Sequence, residues 1–191
     1  DDVTYSIIQT NDDGYLCSGY SNSSMSGDKT ENNQGGYDIW VVKLDASGLI
    51  QWQNTIGGSG SDNYNVVQQK NTGDYLVCGN SNSPISGDKI THSKGQNDFW
   101  IIHLDTLGSI QAQTSIGGNN YDTVFDFDFT NDGSLLLGGS STSNISGDKT
   151  ENSSGSHDYW VVKIDIAGNI QWQNTIGGSG QDYLYSVQQT S

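Results

Sequence analysis

The chain of 191 residues has one proline, Pro84, no arginine, two glutamates, three histidines and two cysteines. Each scarcity excludes something. Cys17 and Cys78 sit one repeat position out of register, so a period-2 strand pattern points them to opposite faces and no disulfide between them is expected. With no CxxC and no second pair, cysteine does not reveal a compartment. His92, His103 and His157 occupy unrelated positions and form no metal-ligand spacing. Glu31 and Glu151 are equivalent loop residues two units apart, a poor arrangement for the paired carboxylates of a glycosidase. There is no Gly-x-Ser-x-Gly elbow, P-loop or dinucleotide fingerprint. No apolar run reaches the roughly 18 residues of a membrane-spanning helix, no basic-then-apolar leader pattern is present, and no window carries a 3.6-residue apolar period.

Positive charge is scarce too: seven lysines stand against 22 acidic residues, a formal net charge of -15. Such a field repels nucleic acid phosphates and anionic membranes, leaving cations and neutral or basic molecules as the better-matched partners. Five Trp, ten Tyr and four Phe set this polar, glycine-rich chain apart from disordered sequences.

What the sequence does have is a gapless repeat of 60 residues. Gly27-Asp28-Lys29 returns at 87–89 and 147–149, Trp40 at Trp100 and Trp160, and Ile56-Gly57-Gly58 at 116–118 and 176–178. Three units, about 1–60, 61–120 and 121–180, are followed by residues 181–191, where Asp182, Ser186, Gln189 and Thr190 repeat Asp2, Ser6, Gln9 and Thr10. A fixed period of this kind marks an array of supersecondary units.

Within the second unit the pattern predicts four strands: Asn65–Gln69, Tyr75–Gly79, Asp98–Asp105 and Ser109–Ile116, joined by turns at 71–74 and 106–108 and by a long polar loop over 80–97. The third strand is apolar throughout and suits burial on both faces; the fourth alternates and suits an outer edge. Four strands with three short connections and one long one are the content of a propeller blade. The expected fold is all-β: a β-propeller or propeller-like arc of three four-stranded antiparallel blades, with 181–191 as the first strand of a further blade.

The units resemble the β-propeller repeats of secreted bacterial proteins, in particular the multi-repeat proteins exported by the type IX system of Bacteroidetes. Tyr159-Trp-Val-Val-Lys-Ile-Asp165, Gly168-Asn-Ile-Gln-Trp-Gln173, Ile176-Gly-Gly-Ser-Gly180 and Asp13-Gly-Tyr-Leu16 carry the likeness along the full length. The resemblance implies a secreted or cell-surface protein and places the long loops on one rim with the 59–62 connections and their copies. It implies no chemistry, since propellers host binding, scaffolding and catalysis alike.

Residues repeated in every unit are most simply folding requirements. Asp45, Asp105 and Asp165, each three residues before a glycine, are read as turn residues. Asp28, Asp38 and Asp62 with their copies Asp88, Asp98, Asp122, Asp148, Asp158 and Asp182 either cap backbone N–H groups or serve as calcium ligands. Symmetry is broken by Asp126 and Asp128, which replace Ser6 or Val66 and Ile8 or Gln68. Alternation puts both carboxylates on one side of a strand about 7 Å apart. They make a candidate ligand or cation site if they face a channel, and need partners if they lie between blades. Trp40, Trp100 and Trp160 are expected in the core. Trp52 and Trp172, with Ala112 between them in the repeat, are candidate sugar-stacking residues or covers for a sheet edge.

The expectation is therefore a non-catalytic scaffold or adhesion module whose rim loops bind a protein, glycan or cation, with calcium as the one cofactor to consider. The alternative is a lectin or an accessory domain of a secreted enzyme. Three blades are fewer than the four to eight of a closed ring. Further blades or self-association are therefore expected to complete one.

Overall fold

The computed structural model describes residues 1–190, which hold twelve β-strands and no helix. In chain order they are β1 (Asp2–Gln9), β2 (Tyr15–Ser21), β3 (Asp38–Leu44), β4 (Ile50–Ile56), β5 (Asp62–Gln69), β6 (Tyr75–Ser81), β7 (Asp98–Leu104), β8 (Ile110–Ile116), β9 (Asp122–Phe129), β10 (Leu135–Ser141), β11 (Asp158–Ile164) and β12 (Ile170–Ile176). They form three four-stranded sheets ordered β1-β2-β3-β4, β5-β6-β7-β8 and β9-β10-β11-β12. These are propeller-like blades, one for each 60-residue unit.

Short polar turns close the hairpins. Between β1 and β2, Thr10 N–H donates to the Gly14 carbonyl, and the same bond recurs from Lys70 to Asp74 and from Thr130 to Ser134. Between β3 and β4 the Asp45 carboxylate accepts the Ser47 and Leu49 amides at 2.7 and 2.9 Å. Asp105 and Asp165 do the same for their own turns, which is the role their spacing to glycine implied. The registers of β1, β5 and β9 against their neighbours each carry a bulge, which bends a strand and increases its local twist.

The chain divides into two compact units, Asp1–His92 with Trp100–Ser115, and Ser93–Phe99 with Ile116–Ser191. In the first, Leu16, Ile39, Val41, Val67, Val77 and Trp100 belong to one buried cluster. In the second, Phe99 packs on Trp160 with ring centroids 5.0 Å apart, and Val124, Phe127, Leu137 and Val162 are buried.

β7 is buried at every position but His103, as its two-faced apolar sequence required. β4 departs from the expected alternation, running from exposed at Ile50 to buried at Thr55 and Ile56. The reason is the second blade, whose Val67, Val77 and Trp100 share a buried cluster with Ile56, while the long loop before β3 bonds to Thr55. The Glu31 carboxylate accepts the Thr55 amide, and the Lys29 ammonium donates to the Thr55 hydroxyl at 2.8 Å. Cys17 and Cys78 form no disulfide, and Cys78 is fully buried. Residues 182–190 form no strand ladder; an isolated parallel bridge joins Gln181 to His157.

Candidate functional site

The repeated motif Gly-Asp-Lys builds the interior of each long loop. Gly27, Gly87 and Gly147 adopt φ near +57°, the left-handed region open to glycine, and each starts a tight turn bridged between Ser26 and Lys29 or their copies. That turn drives the lysine inward. Lys29, Lys89 and Lys149 are at most 3% exposed, an unusual state for a lysine. Lys89 lies 5.7 Å from the centre of the Trp100 ring and Lys149 5.5 Å from that of Trp160, so the indole face replaces part of the lost hydration. Burial holds Lys29 and Lys149 below the ordinary lysine range. The indole N–H of each tryptophan in turn donates to Gln53, Gln113 or Gln173 at 3.0 to 3.2 Å. The tryptophans were expected in the core, which holds for Trp100 and Trp160 while Trp40 is half-buried; the buried lysines were not expected, and their signal was a cation fixed in every unit of a chain with only seven.

The glycine-rich connection after the fourth strand is where one repeat meets the next. In the first compact unit, the Ser59, Gly60 and Ser61 amides donate to the Ser86, Ser83 and Asn82 side chains at 2.8, 2.9 and 2.6 Å. In the second, the Asn119, Asn120 and Tyr121 amides donate to Ser146, Ser143 and Thr142 at 2.9, 3.0 and 3.1 Å. Asp88 and Asp148 complete the two junctions by accepting the Gly57 and Gly117 amides at 3.3 and 3.1 Å. Long loop and short connection are thus bonded in both directions, the Asp88 and Asp148 amides donating in return to the Gly57 and Gly117 carbonyls at 2.8 Å.

The other repeated aspartates are also engaged with backbone. Asp38, Asp98 and Asp158 accept the amides of Gln34, Lys94 and Ser154. Asp62, Asp122 and Asp182 accept those of Gly58, Gly118 and Gly178 at 2.8, 2.6 and 2.8 Å. Asp62 also takes the Ser83 hydroxyl and Asp122 those of Ser141 and Ser143. Burial raises Asp38 and Asp122 to about 6 and moves Asp62 in the same direction. Asp28 is exposed, and its side chain accepts no hydrogen bond. Among the described residues, no three His, Cys, Asp or Glu side chains gather into a metal-binding group.

Asp126 and Asp128 have partners at the end of the chain. Asp126 accepts the Ser186 hydroxyl at 2.9 Å and the Val187 amide at 3.0 Å, and Asp128 accepts the Gln189 amide at 3.1 Å. The symmetry-breaking pair therefore holds residues 186–189 against β9.

Trp52 and Trp172 line equivalent grooves. Trp52 bounds a cavity of about 570 Å³ with Asp12, Lys43, Gln51, Gln69 and Tyr75. Its ring faces Gly108, where an added Cβ would stand 2.8 Å from the indole, and its N–H donates to the Thr106 carbonyl at 3.2 Å. Trp172 bounds a cavity of about 280 Å³ with Asp132, Lys163 and Gln189 and is 43% exposed. Each groove holds an ion pair, Lys43–Asp12 at 2.8 Å and Lys163–Asp132 at 2.6 Å. The lysines hold both carboxyls well below their usual range, Asp12 at about 2. The second blade has Ala112 in place of the tryptophan and pairs His103 with Asp74 at 3.2 Å.

Two features of the surface had no distinct sequence signal. Met25, Ile85 and Ile145 hold one position of each long loop and are 60, 49 and 61% exposed. Tyr5, Tyr20, Tyr37 and Tyr64 form a ring cluster with centroids 4.8 to 6.2 Å apart. No protein-family model matches the chain, and no curated protein matches it.

Proposed function

We propose that the chain is a non-catalytic scaffold or adhesion module, secreted or displayed at a cell surface, that binds a protein partner through its rim loops. The observation that carries this reading is the exposed apolar side chain at one position of every long loop, Met25, Ile85 and Ile145. Scattered exposed apolar residues need no explanation, but the same exposed position in the loop of every blade is a repeated contact element. The polar groups around it support the reading, because the loop lysines, aspartates and serines are engaged in holding the loops and junctions rather than left for chemistry. A glycan-binding alternative draws on the grooves of Trp52 and Trp172, where an indole stands beside an ion pair and glutamine amides.

One experiment separates the readings: immobilised wild type, a Met25→Ser/Ile85→Ser/Ile145→Ser variant and a Trp52→Phe/Trp172→Phe variant are screened against purified extracellular proteins and a glycan array. The rim reading expects a protein ligand whose binding falls at least tenfold in the triple serine variant and is unchanged in the tryptophan variant. The opposite pattern on a glycan establishes the alternative. Equal binding by all three folded proteins defeats both.

A further inference from the structure

Four tyrosines meet within the first compact unit. The Tyr5 ring centroid lies 5.6 Å from that of Tyr20 and 5.2 Å from that of Tyr64, and Tyr20 lies 4.8 Å from Tyr37 and 6.2 Å from Tyr64. The repeat does not require them, since one unit further on the same positions hold Asn65, Asn80, Asn97 and Val124. Tyr5, Tyr20 and Tyr37 belong to the first blade and Tyr64 to the second, so the cluster spans two sheets.

A strained stretch of backbone presents Tyr64 to the other three. The β5–β6 register breaks between Asn63 and Val66, leaving Tyr64 and Asn65 outside the ladder. Tyr64 adopts a φ of +47°, in the left-handed region that bulky side chains rarely enter, whereas Thr4 and Val124 at the same repeat position do not. The bulge is pinned from two sides: Asn65 Nδ2 donates to the Gly19 carbonyl at 2.6 Å, and Asn80 Nδ2 to the Tyr64 carbonyl at 3.5 Å. Such a conformation persists only where the surrounding structure imposes it, and it clusters at functional sites. Here it holds the Tyr64 ring against Tyr5 while leaving Tyr64 46% exposed, open to a reagent in solution.

Ring geometry singles out one pair. Tyr20 and Tyr37 are closer but meet at 64°, the edge of one ring against the face of the other, whereas Tyr5 and Tyr64 are tilted by 45°. Burial, and then the Tyr20 and Tyr64 hydroxyls, raise the Tyr5 phenol above its ordinary range. Neighbouring hydroxyls act in this way only at close range, so the hydroxyl ends of these rings meet.

We propose that Tyr5 and Tyr64 form a site of oxidative cross-linking, at which hydrogen peroxide and a haem peroxidase lock the first blade to the second through a dityrosine bond. The inference is independent of what the rim loops bind. Each phenol gives up one electron and one proton, and the two tyrosyl radicals join through a carbon–carbon bond between ring carbons next to the hydroxyls. The hydrogens on those carbons move to the phenolic oxygens, which restores both rings. The peroxide takes up the two electrons and two protons and leaves as two waters.

The spacing of the lysines supplies a direct test. The full chain, dilute enough to suppress links between molecules, is treated with hydrogen peroxide and a haem peroxidase, then unfolded and cleaved after lysine. The expected product joins residues 1–29 to 44–70, is lighter by two hydrogens than the two peptides together, and carries the blue fluorescence of dityrosine. Tyr64 is the one tyrosine of 44–70, and fragmentation of the product identifies its partner among Tyr5, Tyr15 and Tyr20. Tyr5→Phe and Tyr64→Phe are each expected to abolish the product, and Tyr15→Phe and Tyr20→Phe to leave it. A cross-link removes freedom from the unfolded chain, so oxidised wild type should unfold at a higher urea concentration than Tyr64→Phe treated in the same way. Links only between molecules, a link from Tyr64 to Tyr15 or Tyr20, a link from 1–29 to 30–43 in place of the expected one, no product from the folded protein, or equal urea midpoints overturn the proposal.

Discussion

The Val187 amide donates to the Asp126 carboxylate at 3.0 Å, where 120 residues earlier the Val67 amide donates to the Ser6 hydroxyl at 3.3 Å. A serine serves where the strand is also held by a ladder; a charged acceptor serves where it is not. Hydrogen bonds to an ionised acceptor are roughly twice as strong as neutral ones. Asp126→Ala/Asp128→Ala should therefore release residues 182–190, with amide exchange there rising at least tenfold and the global melting temperature nearly unchanged. Hydrogen exchange read by mass spectrometry measures both; unchanged protection would show that packing of Val187 alone holds the segment.

Lys89 over Trp100 supports a different expectation. Lys89→Ala empties the space under the loop, leaves the Thr91 carbonyl without the Lys89 donor and takes one partner from the Ser115 hydroxyl, at a cost of about 2–4 kcal/mol. Lys89→Met keeps the volume and should recover about half of that loss. Urea unfolding followed by tryptophan fluorescence separates the three proteins, and equal midpoints would remove the lysine from the core.

Acidity should act on stability in two directions. Burial raises Asp38 and Asp122 to about 6 in the folded protein, against 3.8 for an ordinary aspartate. Between these values the folded state binds more protons than the unfolded chain, so stability falls as pH rises from about 4 to 6, by on the order of 2 kcal/mol per group. Asp12 shifts the other way, to about 2, so the contribution of its pair with Lys43 is present above pH 4 and is lost as pH falls toward 2. The maximum should lie near pH 4–5, also helped by the partial neutralisation of the -15 charge. Urea midpoints across pH 3 to 8 check it; Asp122→Asn should flatten the limb between 4 and 6.

Asp13 has a φ of +60°, while Gly73 and Gly133 hold the equivalent turn position in the other units. Left-handed backbone costs most side chains about 1 kcal/mol and glycine little. Asp13→Gly should therefore stabilise the first unit by about 0.5–1 kcal/mol, measurable as a higher urea midpoint. A lower midpoint would mean that the Asp13 side chain makes a local contact worth more than the strain.

The blades were legible because their signals are local. Asp105 and Gly108 fix a turn, β7 is apolar at nearly every position, and four strands per unit follow from spacing alone. What was hidden depends on contacts distant in sequence. Nothing in Gly-Asp-Lys indicates that the lysine turns inward, since its tryptophan lies 11 residues on and the hydroxyl it meets lies 26 residues on. Asp126 and Asp128 stood out as exceptions to the repeat, yet their partners lie about 60 residues further on and cannot be read from the strand that carries them. The grading of β4 from exposed to buried likewise belongs to the residues of the second blade that cluster with Ile56.

Each junction bonds a glycine-rich connection to the following loop, and the stretch Gln51–Gly60 is identical to Gln171–Gly180. Recombination between the two encoding segments would remove or add 120 residues while leaving a donor segment of unchanged sequence at the crossover. The length of the array is thus a trait that can drift without redesign, whereas a change inside one junction must be matched by its neighbour.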